Sequence, residues 1–184
     1  MKYKTIKLSV LLNSLVLMVN AANIAYIPKA APGDTATAGA GKQWPTTRFV
    51  VSGDCVIDNL TGLMWAKNAN LLARGTWGSS STSGTVQYMV AQMNTNSSAT
   101  GYHLCGYSDW RLPNQNELLS LFNYAAVGGG QSNWLNTQGF TDVQSSYWSS
   151  TQGGSGAWYV NMISLSMSIS VSTTNSAWPV RGGQ

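Results

Sequence analysis

The chain of 184 residues is long enough for one compact domain with its own core, and only 9% of it is charged, against 19 glycines and 8 tryptophans. Stability must therefore come mainly from packed aromatic rings and strand pairing. The formal charge of +4 is concentrated at the start, in Lys2, Lys4 and Lys7. Without those three the balance is about +1, which offers little attraction to nucleic acid or an anionic lipid surface.

The three lysines precede an apolar run from Leu8 to Val19 and small residues near Ala21 and Ala22. This layout predicts a secretory signal over residues 1–22, too short for a membrane span, and so an exported product that is periplasmic, surface-bound or secreted, with no stable membrane insertion. Residues 23–43 are rich in Ala, Pro, Gly and Thr without apolar periodicity and are expected to be a leader or linker. Gly39-Ala40-Gly41-Lys42 lacks the spacing and the following Ser or Thr of a phosphate loop. The domain is expected over residues 44–184.

Short β-prone runs follow at Arg48–Val51 and Cys55–Ile57, separated by the turn residues Ser52-Gly53-Asp54, and then at Leu63–Ala66 after a polar turn. From Thr85 to Asn94, Val86, Met89, Val90 and Met93 form one apolar stripe and predict a helix. A second helix is signalled by Asn114 as cap and Glu117 three residues on, ahead of Leu118, Leu121, Phe122 and Ala125, with Pro113 barring backward extension. Gly128-Gly129-Gly130 marks a stop, and the segment to Val143 reads as a loop-rich excursion before a cluster of terminal strands. Strands, two helices, long loops and more strands make an α+β arrangement with mostly antiparallel pairing.

Chemistry-bearing residues are sparse. Cys55 and Cys105 are an even pair in an expected oxidising compartment and predict one disulfide; a reactive thiol or metal pair would want a CxxC or a histidine cluster, and His103 is the sole histidine. Asp109 and Arg111 flank Trp110 and would point to one side of an extended segment as an ion pair, while Asp54 and Asp58 are a thin basis for calcium. No catalytic residue, metal site or cofactor is expected.

From Ile163 to Ser172 aliphatic residues or Met alternate with serine at every even position, which predicts a strand with aliphatics buried and hydroxyls wet. The predicted binding surface is Ile163, Ser164, Ser166, Ser168, Ser170, Ser172, Thr173, Thr174, Asn175 and Ser176, with Trp148 and Trp158 as neighbours that either stack on a ligand or fill the core. A one-residue slip would exchange serines for aliphatics, and an ordinary half-buried sheet with a bland surface is the competing reading.

Five motifs in order, Asp58-Asn59-Leu60-Thr61-Gly62-Leu63-Met64-Trp65, Gly106-Tyr107-Ser108-Asp109-Trp110-Arg111-Leu112-Pro113-Asn114 with Glu117-Leu118, Tyr147-Trp148-Ser149-Ser150-Thr151, Ala157-Trp158-Tyr159-Val160 and Trp178-Pro179-Val180-Arg181, resemble the Legionella collagen-like protein C-terminal domain family over roughly residues 44–184. The resemblance implies a C-type-lectin-type fold, distantly related to the formylglycine-generating enzyme, and an extracytoplasmic module that binds a protein or glycan on another surface. Acidic glycosaminoglycans, bound by some members, want a basic groove that a near-neutral chain lacks. Where relatives carry a Tyr-Asp-Gly turn this chain has Ile163-Ser164-Leu165, and the segment to Ser176 is built of residues that adenine-directed mutation of Asn codons yields. That resembles the variable proteins of diversity-generating retroelements. An enzyme, which would need a reactive thiol, and a structural surface protein without a ligand are the alternatives; oligomeric state is left open.

Overall fold

The computed structural model describes residues 45, 47–124 and 130–182. The expected signal (1–22), the leader (23–43), Trp44, Ala125, Gly128 and Gly129 lie outside the described residues. Thirteen short elements, antiparallel wherever named strands pair, make the α+β class expected from the element order.

The first sheet starts as a hairpin of β1 (Phe49–Ser52) and β2 (Cys55–Asp58), closed by a two-residue turn in which Gly53 takes φ 60, a conformation glycine adopts without a Cβ clash. β3 (Leu63–Ala66) pairs with β2, and the C-terminal β9 (Val180–Gly182) closes on β3 with Trp65 opposite Val180. The first and last named strands thus share one four-stranded sheet, ordered β1-β2-β3-β9. A two-stranded ribbon joins β4 (Gly75–Thr76) to β8 (Thr174–Asn175). The third sheet, ordered β5-β6-β7, is formed by β5 (Ser146–Gly153), β6 (Gly156–Asn161) and β7 (Ser166–Ser170).

Both predicted helices form. α1 (Val86–Thr95) is capped by Thr85, whose hydroxyl accepts from the Tyr88 amide, and it buries Val86, Val90 and Met93. α2 (Gln115–Ser120) starts in a reciprocal capping box between Asn114 and Glu117; it is shorter than its apolar stripe suggests, with Leu121 and Phe122 buried beyond its end. A third helix, α3 (Gly130–Thr137), occupies the segment expected to be loop. Its sequence carries little apolar stripe. Part of its anchor is polar: the buried Gln131 side chain accepts from the Asn123 amide at 2.8 Å and donates to the Asn123 carbonyl at 2.5 Å.

Two buried clusters occur among the described residues. In the first, Trp178 meets Trp65, Phe140 and Tyr147 at ring-centroid distances of 5.5, 5.0 and 4.9 Å, and its Nε1 donates to the Ala66 carbonyl. The second gathers Trp110, Trp148, Ala157, Cys55 and the buried face of α1. β5 and β6 divide the two: Tyr147 and Val160 belong to the first cluster, Trp148 and Ala157 to the second. Around Tyr147, Trp148 and Ser149 β5 is buried on both faces, so its sequence need not alternate there. Beneath β1 and β2, Arg48 and Asp58 form a buried bidentate pair at 3.0 and 2.8 Å, Arg48 also donates to the Ser120 carbonyl, and Asp58 accepts from the Leu60 amide. Asp58 is therefore an ion-pair partner, and among the described residues no group of three potential metal ligands occurs.

The expected Asp109–Arg111 pair does not form. Arg111 instead grips Glu117 at 2.8 and 2.7 Å and the Gly182 carbonyl, while Asp109 takes Arg181, whose guanidinium also lies 3.6 Å from the centre of the Tyr107 ring. The reason is the partner geometry: β9 and the start of α2 bring better-placed groups to each member than they are to one another. Cys55 and Cys105 are bridged as expected, with Cα atoms 6.4 Å apart. The bridge fastens the exposed 3-10 turn Leu104–Gly106 to the buried β2.

Candidate functional site

The residues predicted to bind a ligand begin at the turn after β6. Asn161 Oδ1 accepts from the amides of Ile163 and Ser164 at 2.8 and 2.9 Å, an Asx-type turn that holds the chain reversal in place. Ser164 and Ser166 share a 2.6 Å hydroxyl contact. Leu165 sits at φ 52, unusual for a non-glycine residue, with its side chain packed against the first core cluster. The turn is thus pinned from below while its rim faces water.

β7 follows, paired with β6 so that Tyr159 opposes Ser168 and Trp158 opposes Ile169. Cross-strand partners share a face, so Ser166, Ser168 and Ser170 lie on the Trp148 side of the sheet, and Met167 and Ile169 on the Tyr147 side. The serines are wet, as alternation predicted. All the aliphatics but Leu165 are wet too, which corrects the expectation that they are buried: Ile163, Met167, Ile169 and Val171 are 69%, 41%, 47% and 60% exposed. β7 is the last strand of its sheet, and α2 packs on β5 and β6, reaching β7 through Gln115, whose amide touches Met167 Sδ. Past β7, the Ser170 hydroxyl accepts from the amides of Ser172 and Thr173, and the Arg74 guanidinium donates to the Thr174 carbonyl at 2.6 Å.

Three predicted residues leave the site. Trp148 is fully buried, its Nε1 donating to the Gly75 carbonyl, where a Cβ on Gly75 would come within 2.6 Å of the Gly84 carbonyl oxygen. It packs edge-on against Tyr159 and is core. Asn175 and Ser176, 5% and 1% exposed, are frame residues as well: Ser176 donates its amide to the Ser146 carbonyl and accepts from the Trp148 amide, sewing the chain to β5. The exposed run is therefore 163–174, and burial is continuous from Asn175 to Val180. Trp158 is half-buried, with its Nε1 against Gly153 and its carbonyl accepting from the Ser149 hydroxyl.

No charged side chain occurs between Asp142 and Arg181 in the sequence, so the exposed run is electrically neutral. The perturbed titrations belong to the frame. The hydrogen bond from Arg181 holds the Asp109 carboxyl below its usual value, the bond to Glu117 raises Arg111, and burial pushes the Tyr147 phenol up. His103 stacks on Tyr102 at 3.8 Å and bonds the Asn94 carbonyl oxygen. A separate cleft of about 360 Å³, lined by Leu71, Leu72, Tyr88, Met89, Gln92 and Thr100 among others, involves no residue of 163–174.

Ile163, Met167, Ile169 and Val171 are exposed like most of the serines between them, which the alternation alone did not indicate. Alternation reports that two faces differ, and whether either is covered depends on how many strands and helices lie beyond the edge, which the strand itself does not encode. A search of curated proteins finds none that matches the chain. The Lcl C-terminal domain family model matches residues 54–181, a span that takes in β2 to β8, the first two residues of β9, both cysteines and the entire exposed run. With most of its length matched in this way, the chain belongs to the C-terminal domain family of the Legionella collagen-like protein.

Proposed function

We propose that this domain is an exported recognition module of C-type-lectin type, not an enzyme, and that it binds a protein on another surface through the turn at 163–165, β7 and the turn at 171–174. The observation that carries the reading is the sharp change of burial at Thr174: twelve residues largely exposed, four of them large aliphatic side chains, and then a buried run stitched to β5. Exposed aliphatics cost solubility and are retained where something covers them. A neutral patch mixing aliphatics with hydroxyls suits a protein surface better than a glycan, which wants open aromatic faces, and Trp158 is half-buried. Electrostatic binding to nucleic acid has no basis in a run without charge. The enzymatic alternative needs a free thiol, and both cysteines are in the bridge.

The same burial pattern supports diversification by a retroelement, because an exposed run on a braced frame accepts substitution with little loss of stability. The encoding DNA tests that part: a near-copy of the 3′ end differing at adenines, beside a reverse transcriptase gene, is expected, and its absence refutes it. Binding is tested by screening the purified domain against cell-surface proteins and glycans, with Ile163→Asp, Ile169→Asp and Val171→Asp combined in one variant. The account expects a protein hit that the variant loses with its melting temperature nearly unchanged; a hit the variant retains would move the site elsewhere.

A further inference from the structure

β7 is an edge of a kind that folded proteins usually protect. Among the described residues its pairing is with β6 alone, so one side of its backbone has no strand neighbour. The usual protections are a lysine, a proline, a bulge or an inward-pointing charge. None is present in Ser166-Met167-Ser168-Ile169-Ser170, and the register of β6 with β7 is unbroken from Ala157–Ser170 to Asn161–Ser166. The other edge of the same sheet is treated differently: β5 is covered where the Ser176 amide donates to Ser146, and where the Ser150 amide donates to Pro113.

The pattern of the strand identifies what fits it. An antiparallel neighbour related by a two-fold axis at Ser168 would set Ser168 against Ser168, Ser166 against Ser170 and Met167 against Ile169 of the other copy. Every serine then meets a serine and every aliphatic an aliphatic on the same face, since cross-strand partners share a face. A two-fold contact centred on Ser168 sets that residue against its own image, where a charge would repel itself, and a neutral stretch avoids this. The chain from Val143 to Val180 carries no charge at all. A positively or negatively charged partner strand would gain no ion pair here, whereas a second copy matches in charge, pattern and face.

Resting on the reading that this face is the recognition surface, we propose that its partner is a second copy of the same chain, joined by antiparallel pairing of β7 with β7 into a continuous six-stranded sheet. The contact is small, five residues a side plus the flanking Ile163 and Val171, and so belongs with weak, reversible associations that gain strength when several domains are presented together.

The test uses the full chain by sedimentation equilibrium from micromolar to millimolar concentration. The wild type is expected to show a reversible monomer–dimer equilibrium. Ser168→Glu and Ser168→Lys, each placing a charge against its own image, should each weaken self-association at least tenfold with unchanged melting temperature. Mixing the two variants one to one should restore a heterodimer at least as tight as the wild-type dimer. A wild type that stays monomeric at millimolar concentration, or variants that self-associate as wild type does, overturns the proposal. The recognition reading is judged apart from this, in the protein screen: Ser168→Glu losing a protein hit while the wild type is monomeric sinks the self-pairing and keeps the recognition face, and Ser168→Glu retaining that hit sinks the recognition face.

Discussion

Replacing Asp58 by alanine removes one end of the buried pair beneath β1 and β2. The Arg48 guanidinium keeps its bond to the Ser120 carbonyl but loses both carboxylate contacts in a place where the two side chains are 3% and 0% exposed. The Leu60 amide loses its acceptor as well. Breaking a buried pair from one side costs about 3–5 kcal/mol, a large share of a domain stability of about 5–15 kcal/mol. With an unfolding entropy of about 2 cal/mol/K per residue, about 4 kcal/mol lowers the melting temperature of a domain this size by roughly 10–15 °C. Guanidinium denaturation followed by tryptophan fluorescence, with thermal unfolding alongside, measures both. Replacing the pair together, Arg48→Met with Asp58→Leu, should return to within about 1–2 kcal/mol of wild type, because taking the carboxylate from a buried guanidinium costs more than the pair's net attraction contributes. A loss under about 1 kcal/mol for Asp58→Ala would refute the reasoning by showing that water reaches Arg48.

Trp148→Ala should cost about 3–5 kcal/mol by leaving a cavity and an unmet Gly75 carbonyl, and any fall in partner binding should track the unfolded fraction measured by denaturation. Reducing the Cys55–Cys105 bridge, which spans 50 residues, should lower stability by about 4 kcal/mol, read as a shift in denaturation midpoint with and without reductant. Asp109 has a lowered folded pKa, so its contribution is present above the usual 3.8 and is lost as the pH falls through the lowered value. Asp109→Asn should therefore melt slightly below wild type at pH 6, and the difference should vanish in the acid range below 3.8; a gap that stays constant would assign the effect to packing.

Much of the frame was legible because it obeys local rules. The Asn114–Glu117 box and the Val86, Val90, Met93 stripe are short-range signals, and the two cysteines had only each other. What was illegible depended on distant partners. α3 hides because Gln131 is buried by bonds to Asn123 in a sequence without an apolar stripe, and Asp109 and Arg111, neighbours in sequence, are drawn apart by Arg181 and Glu117. β5 shows no alternation at Tyr147, Trp148 and Ser149 because both faces are covered there, while β7 alternates with both faces largely exposed. Asn175 and Ser176 look like their exposed neighbours and are buried because β8 reaches β4 and the chain then turns along β5.

The proposed boundary between an exchangeable surface and a frame lies at Thr174. Saturation substitution across residues 163–180, with every variant scored for resistance to proteolysis, measures it position by position. Near-wild-type stability is expected for most replacements from 163 to 174, Leu165 excepted, and a steep loss from Asn175 to Val180. Intolerance across 163–174, or equal tolerance on both sides of the boundary, would contradict it.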